Sequence, residues 1–340
     1  MMRSILFFFI AAALVPGVTR SASAQDVIAG IIQKKSLSRN DLATMEAEIS
    51  QRVKRLASGA NPDQLEEARD RMLKTAQTSG ASEAGLDAYV EISARELAPL
   101  VSGGAFDVAF HTALLLNALH HVKTIDALAQ ALSSKHDAIR YMAAKGIQRL
   151  HRQAKDRQAE CQLALRTLGR AGASERDEHV LRAIYQAIDF PADVSDFAYG
   201  QDCAGALLEV FGSRARAWAS GSRDELKDEA GLEAAARCYA SASDRQKSEL
   251  VRYLSEYLGM TVDRYFDDDT APEYRRTLAA LIGRTEEIIR GIMEGARVTV
   301  PSARIALNPR AGDQAKEEKG ARSAMSGLLA VLRGPPWNIP

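Results

Sequence analysis

The stretch from Ile125 to Leu150, IDALAQALSSKHDAIRYMAAKGIQRL, decides the fold class. Two apolar stripes with helical spacing run through it, at Ile125, Leu128 and Leu132, and then at Ile139, Ala143, Ile147 and Leu150. The polar link Ser-Ser-Lys-His-Asp between them has a length that joins antiparallel neighbours. The stretch therefore predicts a helical hairpin. The small residues Ala143, Ala144 and Gly146 predict that another helix can approach its second helix closely.

This hairpin resembles a HEAT repeat. In that family a leucine-spaced first helix and a short turn precede Val-Arg, a pair of alanines, and Ala-Leu followed by leucine. The matching positions here are Ile139-Arg140, Ala143-Ala144, Gly146-Ile147 and Leu150. The turn departs from the pattern, because Ser134 stands where the family usually has an aspartate and the usual proline is missing. In the HEAT family an Asp–Arg ladder commonly links successive repeats. These departures leave open whether this chain forms such a ladder.

Weaker copies of the second-helix pattern flank the hairpin. The earlier copy has its apolar positions at Val108, Ala113, Leu116 and Leu119, and Ala109 replaces the arginine. The later copy is more loosely spaced, with apolar positions at Val180, Ile184 and Ile188. Periods of about 30 to 45 residues built from helix pairs are typical of α-solenoids. The resemblance implies an all-α fold of antiparallel helical hairpins stacked as a HEAT-like α-solenoid.

The rest of the chain also favours helices. No proline lies between Pro99 and Pro191, or between Pro191 and Pro272. Because proline inside a helix costs about 3 kcal/mol, such gaps suit long helices. Three helix starts carry capping sequences, at Asn61-Pro62, Ser243 with Gln246, and Thr270 with Glu273. Helical spans are predicted at 26–35, 38–56, 81–100, 158–168, 178–188, 194–218, 225–239, 245–258 and 270–295.

Residues 1–24 predict export. They combine Arg3, an apolar run from Ile5 to Val15, a Pro16-Gly17 break and the small residues Ala22-Ser23-Ala24. This is the anatomy of a secretory signal peptide with cleavage after Ala24. The apolar run is too short to span a bilayer comfortably, which disfavours an uncleaved anchor. We therefore expect a periplasmic or extracellular protein with no integral membrane segment after cleavage.

The predicted organisation has four parts. They are the signal peptide at 1–24, an N-terminal helical region or cap at 25–103, a HEAT-like repeat body at 104–295, and a mobile C-terminal tail at 296–340. The tail opens with the β-branched triplet Val298-Thr299-Val300, continues with charged and small residues, and ends in Gly-Pro-Pro-Trp-Asn-Ile-Pro. Within it, Met325 to Leu332 predicts a short helix.

The chain has six histidines, and histidine is a common metal ligand. They are His111, His120, His121, His136, His151 and His179. Some HEAT-repeat enzymes bind a metal pair through repeated His-Glu dipeptides, and no histidine here is followed by glutamate. His120 and His121 are adjacent on a helix and point about 100° apart, which is poor for one ion. The favourable helix dipole at a C-terminus explains His120, His121 and His151. No metal site is predicted.

The run Asp267-Asp268-Asp269 lacks the spacing, the glycine and the distal glutamate of a calcium loop. The chain also lacks Gly-x-Ser-x-Gly, a phosphate loop, a dinucleotide glycine fingerprint and Cys-x-x-Cys. No catalytic residue and no cofactor is therefore assigned. The 44 basic and 44 acidic residues cancel, so the surface has no general attraction for nucleic acid, and no nucleic-acid partner is predicted.

The three cysteines form a conditional prediction. An oxidising compartment favours disulfides, but free cysteines are also common as small buried residues, and this second interpretation is preferred here. If a bridge exists, we expect it to join Cys203 and Cys238, because their separation matches one helical-hairpin period and would bring adjacent hairpins side by side. Cys161 would then be free.

These observations favour an exported, non-enzymatic scaffold that binds a protein or peptide partner. The oligomeric state is left open. Two other classes are kept: a helical hydrolase or lyase with its active site in a groove, and a carrier of an apolar ligand. An open groove lined by alternate helices would favour the scaffold. A deep pocket with perturbed carboxylates or histidines would favour the enzyme, and a closed apolar cavity would favour the carrier.

Overall fold

The computed structural model describes residues 24–194, 198–221, 225–293, 302–307 and 314–334. All regular secondary structure within these ranges is helical, which confirms the predicted all-α class. Residues 1–23, which hold nearly all of the predicted signal peptide, lie outside the described residues, as do Val298-Thr299-Val300 and the Trp337 end of the chain. Of the helices within the described ranges, none has the length and apolar character of a segment that crosses a bilayer.

The first half of the chain forms α1 (Ala24–Ile32), α2 (Arg39–Ala57), α3 (Pro62–Ala76), α4 (Glu83–Gly103), α5 (Phe106–Leu119), α6 (Ile125–Ala131), α7 (Asp137–Arg149), α8 (His151–Ala154) and α9 (Gln158–Ser174). The second half forms α10 (Glu178–Ile188), α11 (Phe190–Asp193), α12 (Gly200–Ala219), α13 (Glu229–Tyr239), α14 (Asp244–Phe266), α15 (Pro272–Met293), α16 (Ala303–Ala306) and α17 (Gln314–Leu332). Short 3-10 helices lie at Val122–Thr124 and Glu225–Asp228.

The helices pack in two rows. Helices of the first row contact one another in the order α2, α4, α6, α9, α12, α14, and those of the second row in the order α3, α5, α7, α10, α13, α15. Each first-row helix also packs against the second-row helix that follows it in the chain. The buried apolar residues form one connected core from Ile28 to Leu332. A second-row helix is therefore covered by its hairpin partner and by its neighbours in the row.

The hairpin predicted at 125–150 is formed by α6 and α7. Its apolar stripes are buried, and Ile139, Ala143 and Ile147 are each 0% exposed. The expected close approach lies at Gly146, where a Cβ atom would stand 2.9 Å from Asn117 Oδ1 and 3.0 Å from a methyl group of Leu128. Asn117 of α5 also donates to the carbonyl oxygen of Met142 at 2.9 Å. The small residues thus let α5 and α6 pack tightly against α7.

Two of the three predicted helix starts are confirmed. The Asn61 side chain accepts from the backbone of Gln64, with Pro62 in the first turn, and Ser243 and Gln246 form a reciprocal capping box. The third is wrong. Helix α15 begins at Pro272, two residues after the start of the predicted span 270–295, and the Thr270 hydroxyl donates to the carbonyl oxygen of Arg264 at 2.8 Å. Thr270 thereby satisfies the end of α14 instead of the start of α15.

Buried carboxylates in the turns tie successive hairpins together. Glu175, between α9 and α10, accepts from Arg140 of α7, with Nε to Oε2 at 2.7 Å and Nη2 to Oε1 at 2.9 Å. Asp228, before α13, accepts from the Tyr185 hydroxyl of α10 at 2.7 Å and from Arg214 Nε at 3.0 Å. The arginine of the HEAT-like motif therefore does have a carboxylate partner, and it comes from the next turn, not from position 134.

The described part of the predicted mobile tail differs from the expectation. Helix α17 spans Gln314–Leu332, which is longer than the short helix predicted from Met325, and it packs against α14 and α16. Leu328 is 2% exposed and Leu332 is 0% exposed. The Glu286 carboxylate of α15 accepts from the backbone nitrogen of Ala303 at 2.7 Å, which fixes the start of α16. These residues belong to the packed body.

The close packing of α7 gives a stability prediction. We expect Ala143→Leu to lower the free energy of unfolding by roughly 1–3 kcal/mol, because the added atoms have no space in a tightly packed core. Ala138→Leu is the control, since Ala138 lies on the same helix and is exposed. Urea denaturation measures both. Equal stability of the two variants would contradict the packing described for Ala143.

The Arg140–Glu175 pair gives a pH-dependent prediction. Burial raises the pKa of Glu175, but hydrogen bonds from Arg140 and from two backbone amides outweigh it and hold the pKa below its usual 4.5. The carboxylate therefore stabilises the fold above that pH, and the contribution is lost as the pH falls through the lowered pKa. We expect Glu175→Gln to cost about 1–3 kcal/mol at pH 7 and much less once the pH is below the lowered pKa of Glu175. The exposed Asp268→Asn is the control, and a cost independent of pH would contradict the assignment.

Candidate binding groove

The outward stripes of the second-row helices are polar and lie opposite their buried stripes. On α10 the buried positions include Val180 and Ile184, whereas Arg182 is exposed and Gln186 is half-buried. The same helical spacing turns Lys145 and Gln148 of α7 outward, together with the charged residues Glu229, Glu233 and Arg237 of α13 and Arg284 and Glu287 of α15. The row packing brings these stripes side by side.

Two adjoining hollows lie along these stripes. The first has a volume of about 310 Å³ and is lined from α7, α10, α11 and α13 by Lys145, Gln148, Arg182, Gln186, Asp189, Ala192, Glu229, Ala230, Glu233 and Arg237. The second, of about 350 Å³, is lined by Glu229, Thr277, Ala280, Leu281, Arg284, Glu287 and Arg304. Glu229 belongs to both linings. We call the two hollows together the second-row groove.

Most carboxylates of the groove are already paired with arginines. Arg237 Nε donates to Asp189 Oδ2 at 2.7 Å, and this pairing raises the pKa of Arg237. Glu233 pairs with Arg284 and lies 3.7 Å from Arg237. Glu287 accepts from Arg304 at 2.6 Å. Glu229 is the exception among the lining carboxylates, because it forms no ion pair within the described residues.

On the side of the groove formed by α7 and α10, the charged lining residues are cations that are not paired with carboxylates in the described part of the chain. Lys145 Nζ donates to the amide oxygen of Gln148 and, at 3.2 Å, to that of Gln186. Burial and the nearby Arg149 lower the pKa of Lys145, and Asp193 acts in the opposite direction. Within the described residues, neither Lys145 nor Arg182 forms an ion pair with a carboxylate. This side of the groove is therefore rich in donors, and Asp193, the carboxylate whose charge acts on Lys145, is hydrogen-bonded to His151 instead.

Aromatic side chains continue the exposed surface of the second row on α5 and α7. Phe106 is 44% exposed, and its ring lies 5.8 Å from Phe110 and 5.0 Å from His136, measured between centroids. Tyr141, 39% exposed, lies one helical turn before Lys145 on α7. Exposed aromatic groups beside cations are common where proteins bind other chains.

The histidines are not gathered at one place. His120, the C-cap of α5 with a φ of 45°, and His179 are exposed, and His136 precedes α7. His121 lies 2.9 Å from Asp87. Within the described residues, no group of three or more histidine, cysteine, aspartate or glutamate side chains has an arrangement that could hold a metal ion.

His151 has a position that the helix-dipole interpretation does not predict. It is 1% exposed and stacks on Phe190 with 3.8 Å between ring centroids. Its Nδ1 lies 2.7 Å from Asp193 Oδ2, and its Nε2 lies 2.9 Å from the carbonyl oxygen of Ala187. Burial lowers the pKa of His151, and these two acceptors act against burial. The side chain joins α8 to α10 and α11 from inside the core.

The aspartate run after α14 has a local role. Asp267 accepts from Arg264 Nη1 at 2.5 Å and from the backbone nitrogen of Asp269 at 3.0 Å. Asp268 and Asp269 are exposed. The carboxylate of Asp267 thus closes the turn between α14 and α15.

The structure brings together two of the cysteines. Cys203 of α12 and Cys238 of α13 are free buried thiols near each other, and burial together with the neighbouring Cys238 raises the pKa of Cys203 well above its usual value. They lie on the two helices of one hairpin and not on adjacent hairpins as expected. Cys161 is also free and buried, donates to the carbonyl oxygen of Ala154 at 2.8 Å, and has its pKa raised to about 12, chiefly by burial.

Sequence reasoning assigned no site residues and therefore missed the groove. Its members look in the sequence like ordinary solvent-facing positions of amphipathic helices. The available signal was the recurrence of charged or amide residues three or four positions apart, as in Arg182 and Gln186. That pattern does not reveal which helices are neighbours. No protein-family model matches the chain, and no curated protein matches it.

The cysteine geometry gives a prediction by thiol labelling. We expect all three thiols to resist a thiol reagent in the native protein, because each is 0% exposed, and to react after denaturation without reductant. If the protein is oxidised during export, we expect a single reactive thiol, and peptide mapping should then place the bridge between Cys203 and Cys238. A bridge that uses Cys161 would contradict the pairing.

Proposed function

We propose that this protein is an exported, non-enzymatic scaffold built from HEAT-like hairpins, and that it binds a protein or peptide along the second-row groove. The observation that carries the proposal is the groove itself, since its lining comes from the successive second-row helices α7, α10, α13 and α15. An extended chain laid across several helices could contact each of them in turn.

The packing order supports the repeat part of this proposal. Hairpins that contact only their neighbours in a row are what stacked helical repeats require. The Arg140–Glu175 pair also supports it, because it links successive hairpins as the ladder of the HEAT family does. Export is the part of the proposal that rests on residues 1–24 alone.

Two observations favour a scaffold over the competing classes. Asp228 and His151, two of the groups whose pKa values are shifted by burial, are 0% and 1% exposed, so a substrate has no access to these two. Two further hollows, of about 500 and 640 Å³, also have charged linings, which include Arg52, Arg55 and Glu67 in one and Glu256, Asp263 and Arg264 in the other. Both hollows are also open to solvent, whereas a carrier of an apolar ligand needs a closed apolar cavity.

The proposal is tested by selecting displayed random peptides on the full exported chain and blocking the groove in variants. Ala192 and Ala280 line the first and the second hollow, and both are exposed. We expect Ala192→Trp or Ala280→Trp to weaken the selected peptides by tenfold or more, because the indole fills space that the peptide needs. Fluorescence anisotropy of a labelled peptide measures the effect.

Ala159→Trp is the matched control, because Ala159 is exposed on the first-row helix α9. This variant should bind the selected peptides as tightly as the unaltered protein. The proposal fails if no peptide is enriched, or if all three tryptophan variants bind alike.

A further inference from the structure

We propose that the α7 and α10 side of the second-row groove binds a carboxylate of an acidic peptide segment, held between Lys145 and Arg182. This inference rests on the proposed peptide-binding function and adds the chemistry of the partner. We call this part of the groove the anion subsite and define it by Lys145, Gln148, Arg182 and Gln186.

The first argument is the set of donors that have no acceptor. Lys145 uses two of its three N–H groups on the amide oxygens of Gln148 and Gln186, which leaves one N–H free for a ligand. In the described residues, the amide nitrogens of Gln148 and Gln186 and the guanidinium of Arg182 make no hydrogen bond. Four side chains from two helices thus present free N–H donors to one hollow of about 310 Å³.

The second argument is the distribution of charge in the groove. Asp189 is neutralised by Arg237, Glu233 by Arg284, and Glu287 by Arg304. Lys145 and Arg182 have no such partner in the described residues, and the exposed Arg149 lies one turn beyond Lys145. Glu229 lies on α13, at the other edge, and disfavours a second carboxylate there. Asp193, whose charge acts on Lys145, is hydrogen-bonded to His151 and forms no ion pair with Lys145 in the described residues. A bound anion is therefore attracted to the α7 and α10 side more than to the α13 side.

The third argument concerns the source of the anion. The subsite is the end of a longer groove and not an isolated cavity, because its hollow shares Glu229 with the second hollow. The exposed Tyr141 lies one helical turn before Lys145 on α7 and supplies an aromatic group near the subsite. An elongated ligand with an acidic side chain and neighbouring apolar groups fits these surroundings, and a peptide segment supplies both. Charge-assisted hydrogen bonds to a carboxylate are also stronger than those to neutral acceptors.

The test uses the full exported chain and three fluorescein-labelled peptides of about twelve residues. All three have the same alanine, glycine and leucine positions, and they carry either glutamate, glutamine or lysine at every third position. We expect the glutamate peptide to bind at least tenfold more tightly than the glutamine peptide, and binding to weaken as salt rises from 50 to 300 mM, since ions screen exposed charges.

The variants locate the contact. Lys145→Met and Arg182→Met should each weaken the glutamate peptide by tenfold or more. Arg276→Met is the matched control, since Arg276 is an exposed cation on the second-row helix α15 and lies outside the linings of both hollows. This variant should bind the glutamate peptide as tightly as the unaltered protein. Arg182→Glu should reverse the preference in favour of the lysine peptide. A folding defect would lower all affinities and would not reverse a preference.

The outcomes separate this inference from the proposed function. Equal binding of the glutamate and glutamine peptides, with loss in Ala192→Trp, would overturn the anion subsite and leave peptide binding in the groove intact. Glutamate binding that survives both methionine variants would also overturn it. Absence of binding by any peptide of any charge, including those from the random selection, would overturn both proposals together.

Discussion

A carboxylate taken out of water must be met by donors, and this requirement joins the hairpins of the protein. Glu175 is surrounded by Arg140 and by the backbone amides of Arg176 and Asp177. Asp228 is fully buried and accepts from side chains of both α10 and α12. In each case a turn is attached to the second-row helix of the preceding hairpin. The turns and the row are therefore fixed as one unit.

The same constraint sets the spacing of the outward stripes. Because α7 and α10 are joined through the Glu175 turn, and α10 and α13 through Asp228, the polar faces of these three helices are held beside one another. A groove follows, and its two sides differ in how their charges are compensated. Asp189, Glu233 and Glu287 are paired with arginines within the protein, whereas Lys145 and Arg182 form no ion pair within the described residues.

The local features could be predicted from the sequence, and the distant pairings could not. Helical periodicity located the α6–α7 hairpin and the buried face of Ala143, because both depend on neighbours along the chain. The partner of Arg140 lies 35 residues away and comes from a turn with no distinctive motif. Helix α17 was expected to be shorter because its first turns are charged, and it is stabilised by packing through small residues such as Ala321 and Ala324. The groove could not be predicted from the sequence, because it is formed by the polar faces of the helices and hydrophobic periodicity locates only the buried faces.

The anion subsite and the turn carboxylates follow opposite rules. Glu175 and Asp228 accept hydrogen bonds from several protein donors, so these contacts contribute to stability and do not require a ligand. Lys145 and Arg182 lie near the surface and form no ion pair within the described residues. Their charged groups therefore contribute little to the stability of the fold. A carboxylate that arrives there forms hydrogen bonds that folding left unmade, so their free energy is gained on binding. Stability and recognition are thus assigned to different residues of the same second-row helices, Arg140 and Lys145 on α7 and Tyr185 and Arg182 on α10.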